Sequence, residues 1–296
     1  MSAATRQGEA IRQERSRSSP RLRHGVAEIA VTIILVLLAA IVIFPLLIPL
    51  LFAFKTQLEY AYHPWAWPKS FSPKNFIDSW KAVRIDQGLV NTFIVCLGAI
   101  ACTIPPAALA GYVFARYRSK GTEILFYLVL IGYFIPAQMV LVPLYKMEVA
   151  LKLNDTLHGL FLPMGAFAIP FWVLIYRSYF KGLPNELAEA ARIDGAGHWA
   201  TLFRVMLPLA RPATILAMLL VFIGAWSDYL LSLILLSNQR NFTMQLRVAA
   251  FLNNYGTDRM PRYAAAAIIS AAPTLILYII GHRWIIRGTL AGAIKE

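Results

Sequence analysis

One carboxylate, that of Asp228, interrupts an apolar segment of this 296-residue sequence. A charged side chain in such a segment is costly to place in lipid, so it faces a bundle interior or an aqueous cavity. Asp228 is therefore a candidate for lining a transport path, and the alternative role is a structural hydrogen bond to a neighbouring helix. An aromatic ring beside polar groups suits a sugar ring, although most aromatic residues in apolar segments serve packing. Further candidates on this ground are Trp226, Tyr229 and Ser232 within about one helical turn, and Tyr133 and Gln138 on an earlier segment.

The sequence contains no set of residues typical of covalent catalysis. It has no G-x-x-x-x-G-K-[ST] phosphate loop, no H-E-x-x-H and no G-x-S-x-G. Its histidines have no zinc-type spacing, and Cys96 and Cys102 lie in one apolar segment as small buried side chains would. We therefore expect no enzyme activity, metal or cofactor on this chain. Uphill transport would draw its energy from an ion gradient or from another subunit.

A second informative stretch runs from Pro184 to Pro208 and is typical of a helix–turn–helix. Proline and two glutamates suit the first turns of a helix, and Gly195 and Gly197 suit its end. Each helix carries a predicted stripe: Leu187, Ala190, Ala191 and Asp194 on the first, and Trp199, Leu202, Phe203 and Met206 on the second. These stripes must be buried either on the protein's own membrane helices or on a partner, and the pattern alone favours neither.

The composition indicates the elements that position these residues. The chain is 58% hydrophobic with a mean hydropathy of +0.59, and 15% of its residues are charged, against about 25% in a typical soluble domain. Each apolar run is near or above the ~20 residues that a helix needs to cross a bilayer. We predict six transmembrane helices within a membrane domain 26–286, at about 26–54, 89–115, 124–145, 157–176, 213–236 and 264–286.

The distribution of positive charge predicts the orientation. With the amino terminus inside, cytoplasmic segments hold 17 of the 28 lysines and arginines, as the positive-inside rule requires. The arginine-rich tail 1–25, typical of disorder, the loop 180–212 and the tail 287–296 then lie in the cytoplasm. The net charge of +13 has this explanation rather than nucleic-acid binding, because no aromatic-rich basic face is present.

The 184–208 stretch resembles the EAA loop of bacterial ABC importer permeases. The matching residues are Glu189, Ala190 and Ala191, then Asp194, Gly195 and Ala196, then Phe203, Leu207 and Pro208. Segments at 71–76, 91–92, 112–116, 142–145 and 288–295 are similar to carbohydrate-uptake permeases of the maltose-transporter type. The resemblance extends over roughly residues 30–296.

This resemblance implies an all-α, six-helix type I importer permease in the bacterial inner membrane, working by alternating access. It implies that the residues from Glu189 to Ala191 and from Asp194 to Gly197 couple the chain to an ATPase. It further implies a second related permease, two ATPase subunits that bind ATP and Mg²⁺, and an external solute-binding protein. One departure bears on the substrate, because Trp226-Ser227-Asp228 stands where this group carries Trp-Asn-Glu or Trp-Asn-Asp.

Two other functions are compatible with the apolar runs alone. A self-contained secondary transporter would need coupling-ion residues within its spans and often has inverted repeats; Asp228 is the one clear candidate, and no repeat is evident. A membrane scaffold without a transport role would leave the composition of the loop unexplained. Co-purification of an ATPase subunit separates the importer from both.

Overall fold

The computed structural model describes residues 19–117 and 119–293, and every regular element in that part of the chain is helical. Residues 1–18 of the predicted tail 1–25 and the last residues of the tail 287–296 lie outside it. The helices are α1 (Ser19–Ala53), α2 (Gln57–Tyr62), α3 (Lys74–Ala82), α4 (Ile85–Arg116), α5 (Lys120–Ile131), α6 (Leu141–Ala150), α7 (Leu157–Lys181), α8 (Glu186–Ile193), α9 (His198–Leu209), α10 (Arg211–Trp226), α11 (Leu230–Leu235), α12 (Met244–Tyr255) and α13 (Met260–Ala293).

The helices agree with an all-α membrane protein. In the described chain, four helical segments are long and apolar enough to span a bilayer, and two bent pairs raise the number to six. The four segments are Val31–Ala53, Ile85–Arg116, Leu157–Lys181 and Met244–His282, the last of which contains α12, a 3₁₀ turn and the first part of α13. The fold class predicted from the sequence is therefore confirmed.

The apolar run 124–145 does not form one straight helix. It lies on two helical stretches, Lys120–Phe134 and Ala137–Ala150, which meet at 85°. Pro136 stands at the break, and a proline pushes the preceding residue out of the helical region. Ile135 accordingly adopts extended backbone angles of φ −83° and ψ 111°. The span predicted at 124–145 did not include this bend.

The run 213–236 is also divided, and the end of the last span differs from the sequence-based boundary. Helix α10 ends at Trp226, and α11 begins three residues beyond Ser227. At its other end, α10 meets α9 at 72°. The predicted tail 287–296 starts inside α13, which continues to Ala293.

The core forms where α4 and α7 lie side by side, with α10 packed against both. Their close approach depends on Gly111, because a Cβ atom there would lie 2.5 Å from the Cβ of Tyr176 and 2.9 Å from the backbone nitrogen of Arg177. Tyr176 and Phe180 are fully buried in this cluster. By contrast, no residue in the most apolar window of α1 is buried, so this helix faces lipid or another chain.

Candidate functional site

Helix α8 rests on the rest of the protein through its small residues. Ala188 and Ala191 are buried, whereas Glu186, Glu189 and Ala190 are exposed. Only Ala191 of the predicted stripe of α8 is buried in this chain, because Leu187, Ala190 and Asp194 are exposed. The buried alanines occupy i and i+3 positions, and their small size lets the backbone of α8 approach the protein closely.

A tight turn joins α8 to α9. The backbone nitrogen of Ala196 donates to the carbonyl of Ala191 at 2.9 Å, and that of Gly195 donates to the carbonyl of Arg192 at 3.0 Å. These two bonds make a Schellman motif, which needs a left-handed residue after the helix. Gly195 supplies it with φ +84°. Gly197 has an ordinary φ of −68°, so only the first glycine is required by backbone conformation.

Three hydrogen bonds hold the α8–α9 region against the end of α4. Arg116 donates to the side chain of Asn185 and to the carbonyl of Leu183. The hydroxyl of Tyr117 lies 2.9 Å from Nδ1 of His198, in a hydrogen bond. The chain before α8 and the chain after the turn are thus both attached to the end of one membrane helix.

An ion pair joins the buried Arg177 to Glu123, whose side chain is 40% exposed. Arg177 of α7 donates to both carboxylate oxygens of Glu123 on α5, one of them at 2.6 Å. It also donates to the carbonyl of Phe114 at 3.2 Å, and its guanidinium lies 3.7 Å from the ring centroid of Phe126. These contacts tie α4, α5 and α7 together beside the α8–α9 turn.

The outer surface of the turn is apolar as well as charged. Ile193 is 86% exposed, and Trp199 and Phe203 are 67% and 56% exposed. The rings of Trp199 and Phe203 are stacked with centroids 6.0 Å apart. The predicted stripe of α9 divides between two faces, because Leu202 and Met206 are buried in the protein. We call the exposed side chains of residues 186–203 the docking surface.

A cavity of about 410 Å³ lies among α4, α7 and α10 and continues to the break before α11. Asp228 is the one charged residue among the described residues that line it. Its carboxylate accepts from the backbone nitrogen of Ser232 at 3.0 Å, from the hydroxyl of Ser232 at 3.0 Å and from the backbone nitrogen of Leu231 at 3.4 Å. The carboxylate is thus both fixed by α11 and exposed to the cavity.

The other predicted path residues do not line this cavity. Trp226 is fully buried and donates from its ring nitrogen to the carbonyl of Ser270, and Ser232 is buried behind Asp228. Tyr229 is 38% exposed outside the lining. Tyr133 and Gln138 are neighbours of the cavity: Tyr133 stacks on the lining residue Phe171, and Gln138 follows the lining residue Ala137.

Three aromatic side chains that form one wall of the cavity were not predicted from the sequence. Phe167, Phe171 and Trp172 line it from α7. The spacing of Phe167 and Phe171 by four residues places them on one face of a helix, and this pattern was a usable signal. It could not show that the face points into a cavity rather than into the core.

Comparison with known proteins identifies the chain. A family model described as "Binding-protein-dependent transport system inner membrane component" matches residues 107–289, which include the docking surface and every lining residue of the cavity except Ala99. The chain belongs to this family. It is therefore a membrane component of a binding-protein-dependent transport system, as the resemblance of the loop implied.

Individual relatives extend the similarity over almost the whole chain. The probable ABC transporter permease protein YurM of Bacillus subtilis is 31% identical, over 94% of this chain and 92% of its own. The diacetylchitobiose uptake system permease protein NgcG of Streptomyces coelicolor is 31% identical, over 89% and 86%. A crystal structure of a bacterial ABC transporter that imports the acidic polysaccharide alginate contains a similar fold, with a TM-score of 0.76 and 19% identity over 87% of this chain and 96% of that one.

Proposed function

We propose that this chain is the permease subunit of an ATP-driven importer for a sugar or sugar derivative. The observation that carries the proposal is the docking surface, which presents Ile193, Trp199 and Phe203 together with Glu189. Exposed apolar side chains of this size on a short, fixed loop are characteristic of a protein interface. The sugar class is supported by the named relative that takes up diacetylchitobiose.

The proposed partner of the docking surface is an ATPase subunit, which carries the ATP and Mg²⁺. A second related permease, a second ATPase and an external solute-binding protein complete the proposed importer. The proposed coupling residues are Glu189, Ala190, Asp194 and Gly195. The left-handed conformation of Gly195 would fix the backbone of the turn that contacts the ATPase. The excess of lysine and arginine supports a cytoplasmic docking surface and two cytoplasmic termini.

The proposed mechanism is alternating access. ATP binding favours one arrangement of the ATPase pair, and the docked turns transmit it to α4 through Arg116 and Tyr117. A ligand shifts such an equilibrium only by its differential affinity for the two states. Helices α7 and α10 form the walls of the cavity, so their reorientation would open Asp228 and the aromatic wall to opposite sides of the membrane in turn.

Uptake by a reconstituted complex tests this function. The complex is placed in liposomes with ATP inside and is supplied with candidate sugars and the binding protein. We expect uptake that requires ATP and is unaffected by ionophores. Uptake that persists without ATP and is abolished by an ionophore would contradict the proposal and would favour a secondary transporter.

The role of Asp228 is tested in the same assay. Asp228→Ala removes both the cap of α11 and the charge of the cavity, whereas Asp228→Asn keeps one acceptor for the Ser232 nitrogen. If the charge contacts the solute, both variants lose uptake while the complex still assembles. If Asp228→Asn transports normally and Asp228→Ala does not, the carboxylate serves the helix cap alone.

A further inference from the structure

A second groove lies between α4 and α10, near the start of α10, whereas the cavity of Asp228 lies towards the end of that helix. Its volume is about 410 Å³. Pro105 and Leu109 of α4 form one wall, Phe203 and Leu207 of α9 form the other, and Arg211 stands beside them at the start of α10. The groove therefore connects the docking surface to a membrane helix.

The interior of this groove offers no binding groups to a polar solute. The hydroxyl of Tyr176 donates to Thr214 at 2.9 Å, and the hydroxyl of Thr214 donates to the carbonyl of Ala210 at 3.1 Å. The remaining lining is apolar apart from Arg211. Water does not favour an apolar space without polar partners, so a hydrocarbon chain fits the groove better than a sugar does.

The charge at the edge of the groove indicates which lipid head group would accompany a hydrocarbon chain in the groove. Arg211 is exposed, and no carboxylate in the described part of the chain lies within ion-pair distance of it. It is the first residue of α10, where the chain bends by 72° and enters a span. A cation at that depth lies at the level of lipid head groups, and basic sites between membrane helices bind anionic ones.

We infer that this groove binds one anionic phospholipid, with an acyl chain between α4 and α10 and the phosphate on Arg211. The guanidinium of arginine matches a phosphate with two parallel hydrogen bonds. A lipid in this position would hold Phe203 and Leu207 against α4. It would thereby support the docking surface from the membrane side, at the stretch Thr201–Met206 where the backbone is a π-helix. The inference goes beyond the proposed function, because it requires the chain only to lie in a membrane.

Retention of lipid by the purified protein with its native partners tests the inference. The protein is exchanged into nanodiscs that contain equal phosphatidylglycerol and phosphatidylcholine, and the lipids that remain bound are counted by native mass spectrometry. We expect Arg211→Gln to lower the affinity for phosphatidylglycerol by about fivefold, as the loss of one interfacial charge predicts. Retention of phosphatidylcholine should not change. Lys181→Gln is the matched control, since Lys181 is an exposed cation at the end of α7 that does not line the groove.

A second variant tests the groove itself. Leu109→Trp places a larger side chain at a half-buried position of the wall, and it should reduce retention of both lipids. The inference is overturned if Arg211→Gln retains as much phosphatidylglycerol as the unaltered protein. It is also overturned if crosslinks show that another protein subunit fills the groove. Neither result depends on the solute that is carried, so failure here leaves the proposed function intact.

Discussion

Substitution of Gly195 measures how much the turn between α8 and α9 depends on one backbone conformation. A Cβ atom at Gly195 or at Gly197 would meet nothing within 4 Å in this chain. The two positions differ in conformation, because Gly195 has φ +84° and Gly197 has φ −68°. An L-residue in the left-handed region costs roughly 1–2 kcal/mol. Gly195→Ala should therefore lower the population of the docking conformation by a factor of about 5 to 30, whereas Gly197→Ala should change it little.

The assay is binding of the ATPase subunit to the reconstituted permease, together with the ratio of sugar imported to ATP hydrolysed. Asparagine tolerates the left-handed region better than other non-glycine residues do, so Gly195→Asn should bind the ATPase more tightly than Gly195→Ala despite its larger side chain. The reasoning is refuted if binding weakens in the order of side-chain size, with Gly195→Asn the weakest. Equal losses in Gly195→Ala and Gly197→Ala would refute it too, because the methyl group rather than the backbone would then be responsible.

Three further predictions concern stability, measured as the midpoint of thermal unfolding in detergent. Gly111→Ala should destabilise the α4–α7 contact by about 1–3 kcal/mol through overpacking. The control Gly224→Ala, where a Cβ atom meets open space, should be neutral or stabilising because alanine favours helix. Equal losses of stability in the two variants would contradict the role of close packing at Gly111. Arg177→Met should cost about 1–2 kcal/mol, because the Phe114 carbonyl loses its donor, while the Glu123 carboxylate is 40% exposed and is hydrated in the variant; an unchanged midpoint would show that these contacts contribute nothing. Burial lowers the pKa of Lys55 below its ordinary value. At pH values between the lowered pKa and the ordinary one, the unfolded chain binds more protons than the folded chain, so stability should rise with pH across that interval. Lys55→Met should remove this rise, and a rise that persists in the variant would come from another group.

The described chain bears out the predicted helical fold, because apolar runs of about 20 residues have few other solutions in a membrane. The bends were less accessible to sequence reasoning. Pro136 and Pro163 both occur in apolar runs, but α7 continues through Pro163 whereas the chain turns by 85° near Pro136. Helix α7 packs against α4, and no local pattern contains the information on such long-range contacts.

The turn between α8 and α9 could be predicted from the sequence more fully than the cavity could. A glycine at the end of a helix indicates a left-handed backbone conformation, so the role of Gly195 follows from its residue type and position. The cavity depends on which face of each helix turns toward its neighbours. Trp226 shows why the lining could not be predicted: it lies two residues from Asp228 in the sequence, yet it is buried in the core and donates to the carbonyl of Ser270. Phe171, which is distant in sequence, lines the cavity.

Purification of this chain from native membranes, with identification of the proteins that accompany it, tests whether it transports only as part of an ATP-driven complex. We expect recovery of a P-loop ATPase, a second permease and an external binding protein. We also expect the charge-reversed variant Glu189→Arg, which alters the exposed docking surface, to lose the ATPase while retaining the second permease. Recovery of this chain alone, still active in liposomes on an ion gradient, would contradict this expectation.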